Sequence, residues 1–216
     1  MSYPVLILGE SGTGKTTALR NLNPADCLLI QAVKKPLPFR SSGWKRYDPE
    51  TKEGNIFASD NSDVICKIIT KSAKPIIIVD DFQYVMANEF LRRTSEKGFE
   101  KFTEIAKHAH AIFDAAGNAP GDKRIYLLSH TDTAEDGITR IKTIGKLLNE
   151  KITLEGLLTM VLRTQVDAGK YQFSTRNNGH DTVKSPLGMF ESNYIDNDLA
   201  AVDAAIVEFY EIQHAA

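Results

Sequence analysis

The chain has 216 residues, of which 42% are hydrophobic and 25% charged. That is ordinary globular composition, and it argues against disorder and for one domain spanning 1–216 with a sizeable core. Lys and Arg number 26 against 28 Asp and Glu, a net charge of −2, which excludes a whole-protein basic field and leaves only local patches for a polyanion.

Val5-Leu6-Ile7-Leu8 opens the chain as an apolar run bounded by Gly9, the pattern of a strand buried on both faces. A glycine-rich loop follows, then a helical stretch from Thr16 to Leu22 that Asn23-Pro24 stops. Cys27 to Gln31 reads as a second strand. From Lys34 to Glu53 the pattern dissolves into a basic, aromatic, Pro- and Gly-containing stretch, an excursion from the sheet. Ser62-Asp63 caps a helix running to Lys71. Ile76 to Val79 is a third buried strand, ending in Asp80-Asp81. Helical stretches follow around Val85–Arg93 and Phe99–Ala116. In the second, Phe99, Phe102, Ile105, Ala106, Ala109, Ile112, Phe113 and Ala116 recur at three- and four-residue steps as one buried face. Ile125 to Leu128 is a fourth strand, ending in Ser129-His130. Residues 131–156 read as a polar, flexible loop segment. Leu157–Val166 and Tyr171–Thr175 flank Asp167-Ala168-Gly169-Lys170 as a hairpin, and a last helix covers Leu199 to Ile212. Alternating strands and helices place the fold in the α/β class, with a mostly parallel central sheet flanked by helices.

Cys27 and Cys66 lie in apolar runs without metal-ligand spacing and read as reduced core thiols of a cytoplasmic protein. The longest aliphatic run is too short to span a bilayer, so no membrane role is expected. His108 and His110 are two apart on a helix and do not share a face, which argues against a metal pair.

The chemistry is carried by Gly9-Glu10-Ser11-Gly12-Thr13-Gly14-Lys15-Thr16, which fits the phosphate-binding loop pattern between a strand and a helix. Glycines let successive backbone N–H groups turn inward onto phosphate oxygens, and the helix adds its positive N-terminal end. Lys15 would reach the β- and γ-phosphates, and the Thr16 hydroxyl would ligate Mg²⁺. Gly9, Ser11, Gly12, Thr13, Gly14, Lys15, Thr16 and Thr17 are therefore the expected nucleotide-binding set, with ATP and Mg²⁺ as ligands. Asp80, at the C-terminal end of a buried strand, is placed to hold Mg²⁺. Asp81 either orients the attacking water or caps the next helix. Ser129 and His130 end the neighbouring strand, where a polar group senses the γ-phosphate or merely bonds within the strand crevice. Glu10, unusual inside such a loop, is a second candidate for activating water.

The GESGTGKT loop, the IIIVDDFQY segment and the Leu127-Leu128-Ser129-His130 strand resemble RecA-like core ATPases of bacteriophages, an AAA-type group that includes single-strand annealing recombinases related to RecA and the Rad paralogues. EKGFEKFTEIAKHA and TIGKLLNEKITLEG strengthen the likeness, which covers roughly residues 3–212. The resemblance implies phosphate binding by Gly12, Gly14, Lys15 and Thr16, magnesium at Thr16 and Asp80, and γ-phosphate sensing by His130. It also implies a host bacterial cytoplasm as the setting. Two features depart from it. Bacterial RecA carries a catalytic glutamate just after its second core strand, where this chain has Gln31-Ala32-Val33. AAA motors follow the magnesium Asp with Glu, where this chain has Asp81.

RecA-like ATPases close their site with a cation from a neighbouring subunit. Arg140, Lys142 and Lys146 are candidates for that role, with Arg92 and Arg93 as the alternative; a trans role implies a ring or filament. Lys34, Lys35, Arg40, Lys45 and Arg46 interleave with Phe39, Trp44 and Tyr47. That mixture suits single-stranded DNA, although the same aromatics can pack on their own sheet. Asn177 to Asp181 can approach the adenine or a neighbouring subunit. Three functions stay open. One is an ATPase of phage DNA recombination or replication, working with single-stranded DNA and with a single-strand binding or other replication protein. The second is an ATPase switch or loader on a protein partner, and the third a small-molecule kinase.

Overall fold

The computed structural model describes residues 1–213. Ten strands, β1 (Tyr3–Leu8), β2 (Cys27–Gln31), β3 (Ile56–Ala58), β4 (Ile76–Asp80), β5 (Arg124–Ser129), β6 (Thr131–Thr133), β7 (Thr139–Ile141), β8 (Met160–Asp167), β9 (Lys170–Ser174) and β10 (Tyr194–Asp196), are joined by four α-helices. These are α1 (Ser62–Lys71), α2 (Gln83–Arg92), α3 (Glu100–Gly117) and α4 (Leu199–Phe209). Eight strands form one sheet in the order β10-β9-β8-β1-β5-β4-β2-β3. From β8 to β3 every pairing is parallel, and β9 and β10 extend that sheet antiparallel.

Side-chain alternation along each strand builds two cores from one sheet. Leu6 and Leu8 of β1, Ile77 and Val79 of β4, and Ile125 and Leu127 of β5 face α1, α2 and α3. Val5, Ile7, Ile78, Tyr126 and Leu128 face the other way, onto Leu199, Val202 and Ile206 of α4. The strands are buried on both faces, which is why they read as unbroken apolar runs rather than as alternating ones.

Several local expectations change. A six-residue 3-10 helix over Thr16–Asn21 replaces the α-helix expected after the phosphate loop. Asn61, not Ser62, caps α1, its side chain accepting from the Val64 N–H at 3.1 Å. Phe99 precedes α3 and is 85% exposed, so it is not part of the buried face. Residues 131–156 fold as the β6–β7 hairpin, a π-helical turn at Leu147–Lys151 and a 3-10 turn at Leu154–Leu157. The cysteines are free, and burial pushes the Cys27 thiol up to about 12. Among the described residues no helix is long and apolar enough to cross a membrane.

Candidate functional site

Register brings the motif residues to one edge of the sheet. Leu8 lies opposite Ser129 on one side and Arg163 on the other, while Gln31 lies opposite Asp80. Gly9, His130 and Asp81 therefore leave their strands at the same level, beside Thr164 within β8, at the carboxyl ends where open α/β sheets bind ligands. A cleft of about 1200 Å³ opens there. It is lined by the phosphate loop, Lys35, Asp81, His130 and Lys142, and on its far side by Tyr171 and Asn197.

The loop is tied down from beneath. Thr164 on β8 approaches Thr13 hydroxyl to hydroxyl at 2.6 Å and donates to the Leu8 carbonyl at 3.2 Å. A Cβ at Gly9 would fall 1.8 Å from the Thr164 hydroxyl, so only glycine lets β8 approach this closely. Gly14 has φ +97 and faces the Tyr171 ring and the Asn197 amide. Lys15 is 6% exposed and folds back across the loop, its ammonium donating to the Gly9 and Glu10 carbonyls at 2.8 Å each. Because the 3-10 helix is only six residues long, the helix macrodipole contributes little here, and the charge of Lys15 carries most of the electrostatic attraction for phosphate.

Burial lowers the Lys15 amine to about 8, against the pull of Asp81 and Asp80. A triphosphate bound here would favour the charged amine, so its affinity should change little between the Asp80 value of about 6 and that pH. It should fall by up to about tenfold per pH unit above it, with proton uptake on binding. Calorimetric titration across this range in buffers of different ionisation enthalpy checks both.

Thr16 donates to both Asp80 oxygens, at 3.0 and 3.1 Å. Asp80 is fully buried; burial first, then the Asp81 charge, raises it to about 6. Neither aspartate caps α2, whose first turn has no side-chain cap. The Asp81 carboxylate points into the cleft instead, with Lys35 Nζ 2.5 Å from Oδ2 and His130 Nε2 3.8 Å from Oδ1. Asp81 holds φ +61, a conformation that costs on the order of 1–3 kcal/mol and tends to collect at functional sites. Burial, and after it the Lys15 charge, lowers the His130 pKa, so its approach to Asp81 is a polar contact of a neutral imidazole. The Ser129 hydroxyl is buried without a partner. Glu10 and Ser11 are exposed at the loop apex, and Thr17 lines the cleft.

The other candidates separate. Lys142 lines the cleft within its own subunit. Arg140 is paired with Asp136 along the β6–β7 hairpin, and Lys146 is exposed. Arg92 is bound to Asp60, and Arg93 is held by Glu89, Glu96 and Glu104, which ties both down in cis. Trp44 is 7% exposed, within the buried layer that includes Leu29 and Ile56, so its ring is not offered to bases. Phe39 packs against the same layer, and Tyr47 stacks on Phe57 at 4.2 Å. Lys35 belongs to the cleft, which leaves Lys34, Arg40, Lys45 and Arg46 exposed. Asn177–Asp181 packs beside β7, where Thr139 N–H donates to the His180 carbonyl, and it does not line the cleft. Tyr171 and Asn197 line the cleft beside Gly14 instead, and both Asn197 amide atoms are buried without partners.

Thr16 and Asp80 fit a magnesium site of the kind completed by phosphates and water, since Mg²⁺ typically takes only one or two protein carboxylates. No protein-family model and no curated protein matches this sequence, so the geometry of the cleft is what bears on its function.

Proposed function

We propose that this protein is a magnesium-dependent RecA-like ATPase that acts with single-stranded DNA. The observation that carries the reading is the meeting of Thr16, which opens the 3-10 helix after β1, with Asp80 at the end of β4, at 3.0 Å and beside the buried Lys15 ammonium. Lys15 binds the β- and γ-phosphates, Asp81 orients the attacking water, and His130 and Ser129 face the γ-phosphate from β5. Magnesium held by Thr16 and Asp80 supplies charge neutralisation on the β- and γ-phosphates. The half-exposed Tyr171 ring lines the cleft and is the surface on which the adenine would stack.

The DNA part of the proposal rests on Lys34, Arg40, Lys45 and Arg46 as backbone contacts without aromatic stacking, which implies weak, salt-sensitive binding. Exposed Lys146 is available to a neighbouring subunit in a ring or filament. Phosphate release from ATP by the wild-type protein, with and without Mg²⁺ and a thymidine oligonucleotide, tests the reading. Magnesium-dependent release that the oligonucleotide accelerates is expected. Absence of release and of nucleotide binding would refute the ATPase. Release indifferent to the oligonucleotide at low salt would turn the function towards a switch on a protein partner.

A further inference from the structure

Lys35 lies on a segment whose other cations face solvent, yet its ammonium is turned inward to the acidic end of the cleft. Its backbone carbonyl accepts from the Gln31 side-chain amide at 3.1 Å and from Arg46 Nη2 at 3.4 Å. Beyond it, buried Trp44 and the Tyr47–Phe57 stack fix the same segment to the sheet. Held by these anchors, Lys35 Nζ sits 2.5 Å from Asp81 Oδ2, while Lys15 approaches through the loop and Lys142 lines the wall near His130. The pairing raises the Lys35 pKa: burial opposes it, but the Asp81 hydrogen bond and the charges of Asp80 and Asp81 outweigh burial.

Building on the ATPase reading, we infer that Lys35 is a catalytic residue supplying, from within the same subunit, the cation that neutralises the transferred phosphoryl group. In the free protein Lys15 and Lys35 balance Asp80 and Asp81. A triphosphate adds more negative charge than one magnesium ion removes, and the partly exposed Lys35 ammonium has freedom to move. It exchanges Asp81 for the γ-phosphoryl oxygens. That exchange frees the Asp81 carboxylate to accept a proton from the attacking water. The water oxygen forms a bond to phosphorus, and the bond from phosphorus to the bridging oxygen breaks. The electron pair leaves with the diphosphate, and the proton on Asp81 passes to solvent. The site then needs no arginine or lysine from a neighbouring chain.

The test compares Lys35→Met, Lys35→Arg and wild type for phosphate release and for nucleotide affinity, and mixes Lys35→Met with Lys15→Met subunits. Loss of one such charged donor typically costs about 10²- to 10³-fold in kcat. That loss is expected for Lys35→Met, with nucleotide affinity within a few-fold of wild type and part of the rate restored in Lys35→Arg. Mixed subunits should show no rescue, because a cation acting in cis cannot be lent. Wild-type or faster turnover in Lys35→Met, or rescue by the Lys15→Met subunits, overturns the assignment while leaving the ATPase reading intact. A wild-type protein that releases no phosphate overturns both.

Discussion

Lys15→Met should weaken nucleotide binding by about 10²- to 10³-fold, the usual consequence of deleting a charged donor aimed at phosphate in a partly dehydrated site. The substitution keeps the length of the stem and removes only the ammonium. That ammonium bridges the Gly9 and Glu10 carbonyls at 2.8 Å each in the free protein. It is held where a β- or γ-phosphate would replace the carbonyls as its partner. The variant should remain folded, because an apolar terminus removes the desolvation cost that depresses the Lys15 pKa. Titration calorimetry with ATP and Mg²⁺ gives the affinity, and a thermal melt confirms the fold. Affinity equal to wild type would remove Lys15, and with it the phosphate loop, from the site.

The second large effect lies at the other end of the strands, where Arg124 begins β5 beneath α4. Arg124 Nε and Nη2 meet Asp203 Oδ1 and Oδ2 at 3.0 Å each, and the Tyr126 hydroxyl donates to Oδ1 at 2.6 Å. Burial, and then the Asp203 charge, raises the Tyr126 pKa well above its ordinary value, so the phenol stays a donor. Asp203→Ala strands a guanidinium and a phenol beneath α4 and should destabilise the fold by about 3–5 kcal/mol, as broken buried pairs do. Replacing the pair together, Arg124→Met with Asp203→Leu, should recover most of that loss, because the uncompensated charge is gone. Urea unfolding midpoints for the single and double variants measure both. A single variant within about 1 kcal/mol of wild type would mean that water reaches the pair.

The long parallel strands were legible because burial on both faces leaves an unmistakable apolar run in β1, β2, β4 and β5. The three-residue strands β3 and β10 carry no period to detect, and their pairing is set by neighbours rather than by composition. Phe99 fits the periodicity of α3, but the helix begins one residue later and leaves the ring in solvent. For the segment 34–53 the sequence leaves open whether the aromatics meet bases or their own sheet, and burial of Trp44 and the Tyr47–Phe57 stack decide for the sheet. Within the site, residues joined by local spacing were visible: the loop, Lys15, Thr16 and the aspartate pair. Thr164, Tyr171 and Asn197 were not, because each reaches the phosphate loop from a position about 150 residues or more away. The parallel pairing of β8 with β1, and the antiparallel addition of β9 and β10, bring them there. Lys35 groups by sequence with the DNA-facing cations for the same reason, since its partner Asp81 lies on a different strand end.

Trp44 is the single tryptophan of the chain, and its indole is buried in the apolar layer that includes Leu29 of β2 and Ile56 of β3, on the segment that delivers Lys35. Buried on the segment that follows Lys35, the indole is an optical label at the root of the proposed catalytic arm. Emission that stays at short wavelength through turnover would report an arm that remains seated while only the lysine tip moves. A shift to longer wavelength would report the whole arm lifting into water.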